Sequence, residues 1–317
     1  MQALFLDNNS VIFLNDYPKP SVGKGQAIIR VIYTGICSTD LELAKGYAGF
    51  RGVPGHEFVG VVEQAEDINR IGQRVVGEIN LGCGECAVCL GHGSAHCPQR
   101  TVLGIIEKDG AFADYLAMPI ENLYQVPGTI EDRVAVFTEP LAAALRIREQ
   151  VIVPPSEPIA VVGPGKLGLL IGQVMALTGT EVLMLGRRPE SLDFAEGLGL
   201  KADLVDAAEN NSFGFVIEAT GNEAGLANSL RIVKPQGTLV MKSTFSGLAN
   251  VDLTKLVVGE LRVIGSRCGP FEPALRLLSR GVIEVASMIE AEYSLEDGVK
   301  AFEHAARPGA RKILLRP

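Results

Sequence analysis

The chain has 317 residues, of which 47% are hydrophobic and 21% charged, and its formal net charge is −8. That length and apolar fraction suit two soluble domains with sizeable cores, and that charge argues against nucleic acid or an anionic membrane as a partner. The start, MQALFLDNNS, lacks a basic flank before an apolar run, and no uncharged stretch has the length of a membrane span, so a cytoplasmic protein is expected.

Residues 1–140 are predicted to form a β-rich unit. The runs AIIRVIYTGIC (27–37), FVGVVEQA (58–65) and RVVGEI (74–79) are β-branched and bounded by turn residues. Cys37 closes the first run, in TGICSTD, and His56 and Glu57 stand just ahead of the second, in VPGHEFVG. A thiolate, an imidazole and a carboxylate around one position left open describe a catalytic zinc. Spacing alone equally allows a buried core thiol at Cys37 and a hydrogen-bonded turn residue at His56.

Residues 81–98 interrupt this unit as a lobe. Cys83, Cys86, Cys89 and Cys97 follow the spacing C-x2-C-x2-C-x7-C. Four thiolates this close can wrap one tetrahedral ion, usually Zn²⁺, and a closed S₄ set leaves no position for substrate, so the site reads as structural. Gly82, Gly84, Gly91 and Gly93 let the backbone turn the sulfurs inward. Two disulfides or an iron–sulfur cluster could use the same residues. Nothing else in the chain suggests export, and no second redox motif is present. His92 and His96 lie inside the lobe, where either could replace a cysteine, though both read as solvated.

The pattern changes near residue 140. PLAAALRIREQV is helical and stops before Pro154-Pro155. Then comes a strand, IAVV, and Gly163-Pro164-Gly165-Lys166-Leu167-Gly168, which opens an apolar helix. The G-x-G-x-x-G pattern between strand and helix is a dinucleotide fingerprint: a tight turn, close approach of the pyrophosphate, and a helix N-terminus that favours anions. Short apolar strands at 181–186, 213–220, 237–243 and 261–266 follow, several separated by helical stretches, which implies a parallel sheet with crossover helices. NAD sites usually place an acid at the end of the second strand; this chain has Arg187-Arg188 instead, a pair suited to a 2′-phosphate. NADP is therefore expected over NAD. The last segment, 270–317, has two helical stretches and a strand, KILLRP, with nothing to say where it packs. Cys268 receives no role, and His304 reads as a surface residue.

TGICSTD, GHEFVG, the cysteine lobe and VVGPGKLG, in this order, make the chain resemble the zinc-containing medium-chain alcohol dehydrogenase family across essentially its whole length. The resemblance implies an α/β protein: a GroES-like β-rich catalytic domain (1–140, with the structural zinc lobe 81–98) and a doubly wound parallel Rossmann domain (141–269). Residues 270–317 would return to the catalytic domain, with the active site between the two domains. It further implies that Cys37 and His56 bind the catalytic zinc, with Glu57 a ligand or a near neighbour. Thr39 would pass the substrate proton, and Asp40 would support His56. Where other alcohol dehydrogenases carry a third cysteine ligand, FTEPLAAAL has Glu139, similar to the polyol, glucose and threonine dehydrogenase branches; Glu139 would bind zinc directly or through water. The surface end of the proton relay holds Glu42 rather than histidine. Thr220, Gly221, Ser266 and Arg267 would line the cofactor.

The expected reaction is hydride transfer between an alcohol, a polyol or sugar hydroxyl, and NADP. The rivals are an NADPH-dependent aldehyde or ketone reductase and a cofactor-binding protein without turnover. Tyr47, Phe50 and Arg51 stand in a pocket loop; Arg51 suits an anionic group or is solvated. A homodimer or homotetramer joined through the Rossmann sheet edge is the family's usual assembly.

Overall fold

The computed structural model describes residues 1–244 and 248–317, apart from the side chain of His92. It divides the chain into two units, Met1–Glu139 with Phe271–Pro317, and Pro140–Pro270. Among the described residues no helix is long and apolar enough to cross a membrane.

The first unit opens with a hairpin, Ala3–Asp7 antiparallel to Ser10–Leu14. Its turn residues Asn8 and Asn9 have φ of 46° and 64°, the left-handed pair that matches strand twist and that asparagine tolerates. A seven-stranded sheet runs in the order Ile289–Ser294, Lys312–Arg316, Gln26–Gly35, Glu57–Ala65, Arg74–Gly77 and Leu123–Gln125, with Tyr115–Pro119 also paired to Gln26–Gly35. The chain's last strand, Lys312–Arg316, meets Gln26–Gly35 antiparallel, through Leu314 opposite Gly35 and Leu315 opposite Thr34.

One core of this unit gathers Leu4, Ile36, Val53, Phe112, Phe302, Ile313 and Leu315. The rings of Phe112 and Phe302 meet edge to face at 5.7 Å. Each such side chain contributes about 1.5–3 kcal/mol of burial. Ile36 immediately precedes Cys37, and Val53 opens the turn that leads to His56. Core packing therefore fixes the backbone that carries both candidate ligands.

The second unit is a six-stranded parallel sheet in the order Lys201–Leu204, Val182–Gly186, Ile159–Val162, Phe213–Glu218, Val233–Met241 and Arg262–Gly265. Ile159–Val162 is buried throughout, as expected of a parallel strand covered on both faces. Strand order reverses between Ile159–Val162 and Phe213–Glu218. Ligands of open α/β sheets bind outside the carboxyl ends of the strands at such a point. The glycine-rich turn leaves one of these two strands, and Thr220-Gly221 leaves the other.

Candidate active site

The lobe cysteines converge. Cys83 Sγ lies 3.9 Å from Cys89 Sγ and 3.7 Å from Cys97 Sγ, and Cys86 Sγ lies 3.8 Å from Cys97 Sγ. Bonds of about 2.3 Å to a tetrahedral ion would place sulfurs about 3.8 Å apart, so the donor set fits such an ion. A disulfide needs about 2.05 Å, and none of these four cysteines forms one. Backbone N–H groups aim at the sulfurs: Cys86 at Cys83, Cys89 at Cys86, and both Cys83 and Gln99 at Cys97, at 3.4–3.5 Å. The Cys83 N–H, against the cost of burial and helped by Gln99, draws the Cys97 thiol down to about 6. Burial, with the neighbouring sulfurs, pushes Cys89 up to about 12. Four thiolates cannot all ionise here without a cation among them. His96 is exposed and stands outside the four-sulfur group. The His92 side chain lies outside the described residues.

The second cluster joins donor atoms of Cys37, His56 and Glu57, all within 4.8 Å of one another. Asp40 builds it. Cys37 precedes the helix Ser38–Leu43, and its N–H donates to Asp40 Oδ2 at 2.8 Å. The Gly55 N–H donates to Asp40 Oδ1 at 3.2 Å. One buried carboxylate thus ties the turn of Cys37 to the turn of His56.

His56 Nδ1 faces Asp40 Oδ1 at 3.4 Å, buried and without a hydrogen bond. That separation is long for a bond but short enough for the charge to act. Burial opposes a proton on His56; Asp40 and then Cys37 outweigh it, and the imidazole stands well above its ordinary pKa. A metal ion would take the place of that proton. Thr39 Oγ1 lies 3.8 Å from Cys37 Sγ, half-buried beside the cluster. Glu139 is half-buried in the first turn of the helix Thr138–Gln150 and is not among the three converging groups.

Lys312 is a participant that sequence reasoning missed. Its Nζ donates to Glu57 Oε2, and the two side chains are 2% and 1% exposed. The ammonium also stands 5.6 Å from the centre of the Phe137 ring, within cation–π range. Burial opposes the lysine's charge, but Glu57 outweighs it, and the pKa is raised. The signal was a lysine opening an otherwise apolar strand, KILLRP: buried lysines need a partner.

In the second unit, Gly163 has φ +105°, and a Cβ on Gly168 would sit 1.9 Å from the Gly163 carbonyl oxygen. Only glycine permits that turn and that close packing. The helix Lys166–Ala176 starts from Gly165 with no side-chain cap, so its first N–H groups are left for an anion. Pro164 and Leu167 complete the loop. Arg187 is exposed and Arg188 half-buried after the strand Val182–Gly186, and neither makes an ion pair among the described residues. The Thr220 N–H and hydroxyl both donate to Glu218 Oε1 at 2.6 Å, and the Gly221 N–H donates to Ser243 Oγ at 2.8 Å. Ser266 is buried and Arg267 exposed, in the loop after Arg262–Gly265.

Arg51 stays largely solvated and pairs with an acid of the chain itself: its Nε donates to Asp7 Oδ1 at 2.7 Å, its guanidinium lies over the Phe5 ring, and its side chain is 68% exposed. One sequence expectation needs correction. His304 is no surface residue. Its side chain is 15% exposed and sits between the Tyr293 hydroxyl and Glu290 Oε1, each at 2.9 Å.

Residues 23–128 match the family model described as alcohol dehydrogenase GroES-like domain, and residues 167–280 match zinc-binding dehydrogenase. Sorbitol dehydrogenase of Halalkalibacterium halodurans is 28% identical, covering 96% of this chain and 95% of its own. L-threonine 3-dehydrogenase of Streptomyces coelicolor is 29% identical, with 99% of each chain covered. Among solved structures, a zinc-binding dehydrogenase of Sinorhizobium meliloti 1021 bound to NADP has a TM-score of 0.89 at 28% identity, covering 100% of this chain and 99% of the other. These matches span both units, and the cysteine lobe, the Cys37–His56–Glu57 cluster and the glycine-rich turn stand in the expected order. The chain therefore belongs to the zinc-containing medium-chain alcohol dehydrogenase family.

Proposed function

We propose that the protein is a zinc-dependent dehydrogenase that oxidises a polyol or sugar hydroxyl, with NADP as the preferred hydride acceptor. The observation that carries this is the convergence of Cys37, His56 and Glu57 with Thr39 beside them. Cys37, His56 and Glu57 hold one zinc, with Glu139 bound directly or through water, and Cys83, Cys86, Cys89 and Cys97 hold a second, structural ion. When bound, zinc lowers the pKa of a coordinated hydroxyl and the nicotinamide accepts the hydride. Asp40 keeps Cys37 and His56 in place, and Thr39 takes the substrate proton and passes it toward solvent. Gly163 to Gly168 bind the pyrophosphate at the helix N-terminus, Arg187 and Arg188 the 2′-phosphate. Thr220 and Gly221 line the cofactor, and Ser266 and Arg267 face its nicotinamide side.

Polyhydroxylated substrates are supported by the names of relatives. Sorbitol dehydrogenase is one; D-arabitol-phosphate dehydrogenase of Enterococcus avium, 28% identical with 95% and 92% of the two chains covered, is another. The carboxylate at Glu139 adds a polar group on this side. Six cysteines outside any disulfide fit a reducing, cytoplasmic setting.

The cofactor reading is tested by titrating NADPH and NADH against the zinc-loaded protein and following nicotinamide fluorescence. NADPH is expected to bind at least ~10-fold more tightly, and the double variant Arg187→Ala/Arg188→Ala to lose most of that preference, since each charge-assisted contact is worth about 1.5–3 kcal/mol. Equal binding by the wild type removes the arginine argument.

The structural ion is tested with Cys89→Ser. Zinc content should fall from about two to about one per chain, and the thermal midpoint by roughly 5–10 °C, while a residual activity survives below that temperature. Unchanged zinc content contradicts the assignment.

Assembly through the edge of the parallel sheet is part of the same proposal. Leu253, Val257 and Val258 on the helix Leu253–Val258 are 68%, 76% and 78% exposed, and Val263 on the edge strand is 43% exposed. A patch of this kind marks an interface. Val257→Asp should convert the assembly to monomers by light scattering; an unchanged mass places the interface elsewhere.

A further inference from the structure

The strand Phe213–Glu218 ends on a buried carboxylate that holds the chain leaving it. Glu218 is 2% exposed. Its Oε1 accepts from both the N–H and the hydroxyl of Thr220 at 2.6 Å. Hydrogen bonds to a carboxylate are about twice as strong as neutral ones. The backbone here is fixed as well: the Ala219 N–H donates to the Val162 carbonyl at 2.8 Å, and the Lys242 N–H to the Glu218 carbonyl at 3.0 Å. Val162 lies opposite Glu218 in the parallel register. The residues that follow them, Gly163 and Ala219, therefore leave the sheet together.

Thr220 is wedged between two glycines. A Cβ on Gly163 would lie 2.8 Å from the Ala219 carbonyl and 2.9 Å from the Thr220 methyl. A Cβ on Gly225, in the first turn of the helix Glu223–Ile232, would collide with the Thr220 hydroxyl. Asn222 continues the tie: its N–H donates to Thr220 Oγ1 at 3.3 Å, and its Oδ1 accepts from the Gly225 N–H at 2.9 Å. A threonine side chain chooses among three staggered positions. The bond to Glu218 selects the one in which the methyl supports Gly163; either of the others takes the methyl away. The first glycine of the dinucleotide fingerprint thus rests on a side chain whose orientation is set by Glu218.

We propose that Glu218 is a positioning residue for dinucleotide binding: through Thr220 it holds the Gly163 turn in the conformation that receives the pyrophosphate, without touching the cofactor itself. This rests on the reading of Gly163 to Gly168 as the pyrophosphate site, whose backbone N–H groups meet the phosphates.

The test measures dissociation constants on the full-length, zinc-loaded protein for two ligands. One is the reduced cofactor, NADPH or NADH, that the wild type binds more tightly. The other is the adenosine part of that cofactor without its pyrophosphate: adenosine 2′-phosphate or adenosine. Glu218→Met removes the acceptor at similar size, Glu218→Gln keeps an acceptor oxygen, and Thr220→Val keeps the shape but loses the hydroxyl. Glu218→Met and Thr220→Val should each weaken the cofactor by about 10- to 100-fold, the loss of one hydrogen bond to a charged group. Both should leave the adenosine ligand within about threefold of wild type, and Glu218→Gln should stay within about threefold for both ligands. If Glu218→Met does not fold, as judged by circular dichroism, the other two variants decide. Equal weakening of the two ligands, or cofactor binding unchanged by Glu218→Met, leaves a merely structural carboxylate and overturns the proposal. A Glu218→Gln variant as impaired as Thr220→Val overturns it too. A wild type that binds neither cofactor overturns the underlying reading of the glycine-rich turn instead.

Discussion

Replacing His56 with alanine should lower kcat/KM by about 10³- to 10⁴-fold and reduce zinc content by about one ion per chain, with the far-UV circular dichroism unchanged. The fold should survive because the scaffold around His56 does not depend on its ring. Asp40 still accepts from the Cys37 and Gly55 N–H groups, and Ile36 and Val53 remain in the core. The activity should not survive, because the imidazole is one of three converging donors and its buried Nδ1, facing Asp40, leaves the other ring nitrogen for the ion. Steady-state kinetics alongside metal analysis check both halves. Activity within tenfold of wild type, with zinc retained, would remove His56 from the site.

Lys312→Met should destabilise the metal-free protein by about 3–5 kcal/mol, the usual cost of stranding one partner of a buried ion pair. Glu57 and Lys312 are both almost fully buried, so water cannot solvate the carboxylate that remains. Replacing both partners, Glu57→Gln with Lys312→Met, should recover much of the loss, because a neutral pair leaves no uncompensated charge. The measurement is a double-mutant cycle from denaturant unfolding, with an expected coupling of at least ~2 kcal/mol. A single Lys312→Met variant within about 1 kcal/mol of wild type would show that Glu57 is held by something else. The same pair bears on the site itself: Glu57 can engage a metal fully only by sharing its carboxylate with Lys312.

How much of this was legible in the sequence depends on the range of the interaction. The lobe was legible because its four cysteines fall within one local run, and the glycine-rich turn because strand, turn and helix are contiguous. The strand Ile289–Ser294 was overlooked, although its exposure alternates residue by residue; IEAEYS is short and carries two glutamates. Lys201–Leu204 was overlooked for a similar reason, being a short and mostly exposed strand. The pairing of Lys312–Arg316 with Gln26–Gly35 joins opposite ends of the chain, and no local pattern encodes that. Lys312 beside Glu57 follows from that pairing, which is why neither the lysine nor its charge balance was foreseen. His304 was misjudged for the same reason: its partner Glu290 is brought near by folding. Asp40 was expected beside His56 only through family resemblance, and its carboxylate stands 3.4 Å from His56 Nδ1. Its tie to the Cys37 and Gly55 backbone is what explains the placement physically.

The central claim is that zinc held by Cys37, His56 and Glu57 lets this protein pass hydride from a polyol hydroxyl to a nicotinamide cofactor. The most direct measurement is formation of reduced nicotinamide, followed by absorbance, when the zinc-loaded protein is given NADP or NAD and a panel of polyols and sugars. The expected result is turnover with at least one polyol that is lost in Cys37→Ser. The contradicting result is a fully zinc-loaded protein that binds the cofactor and turns over none of the panel in either direction, or one whose turnover is untouched by Cys37→Ser.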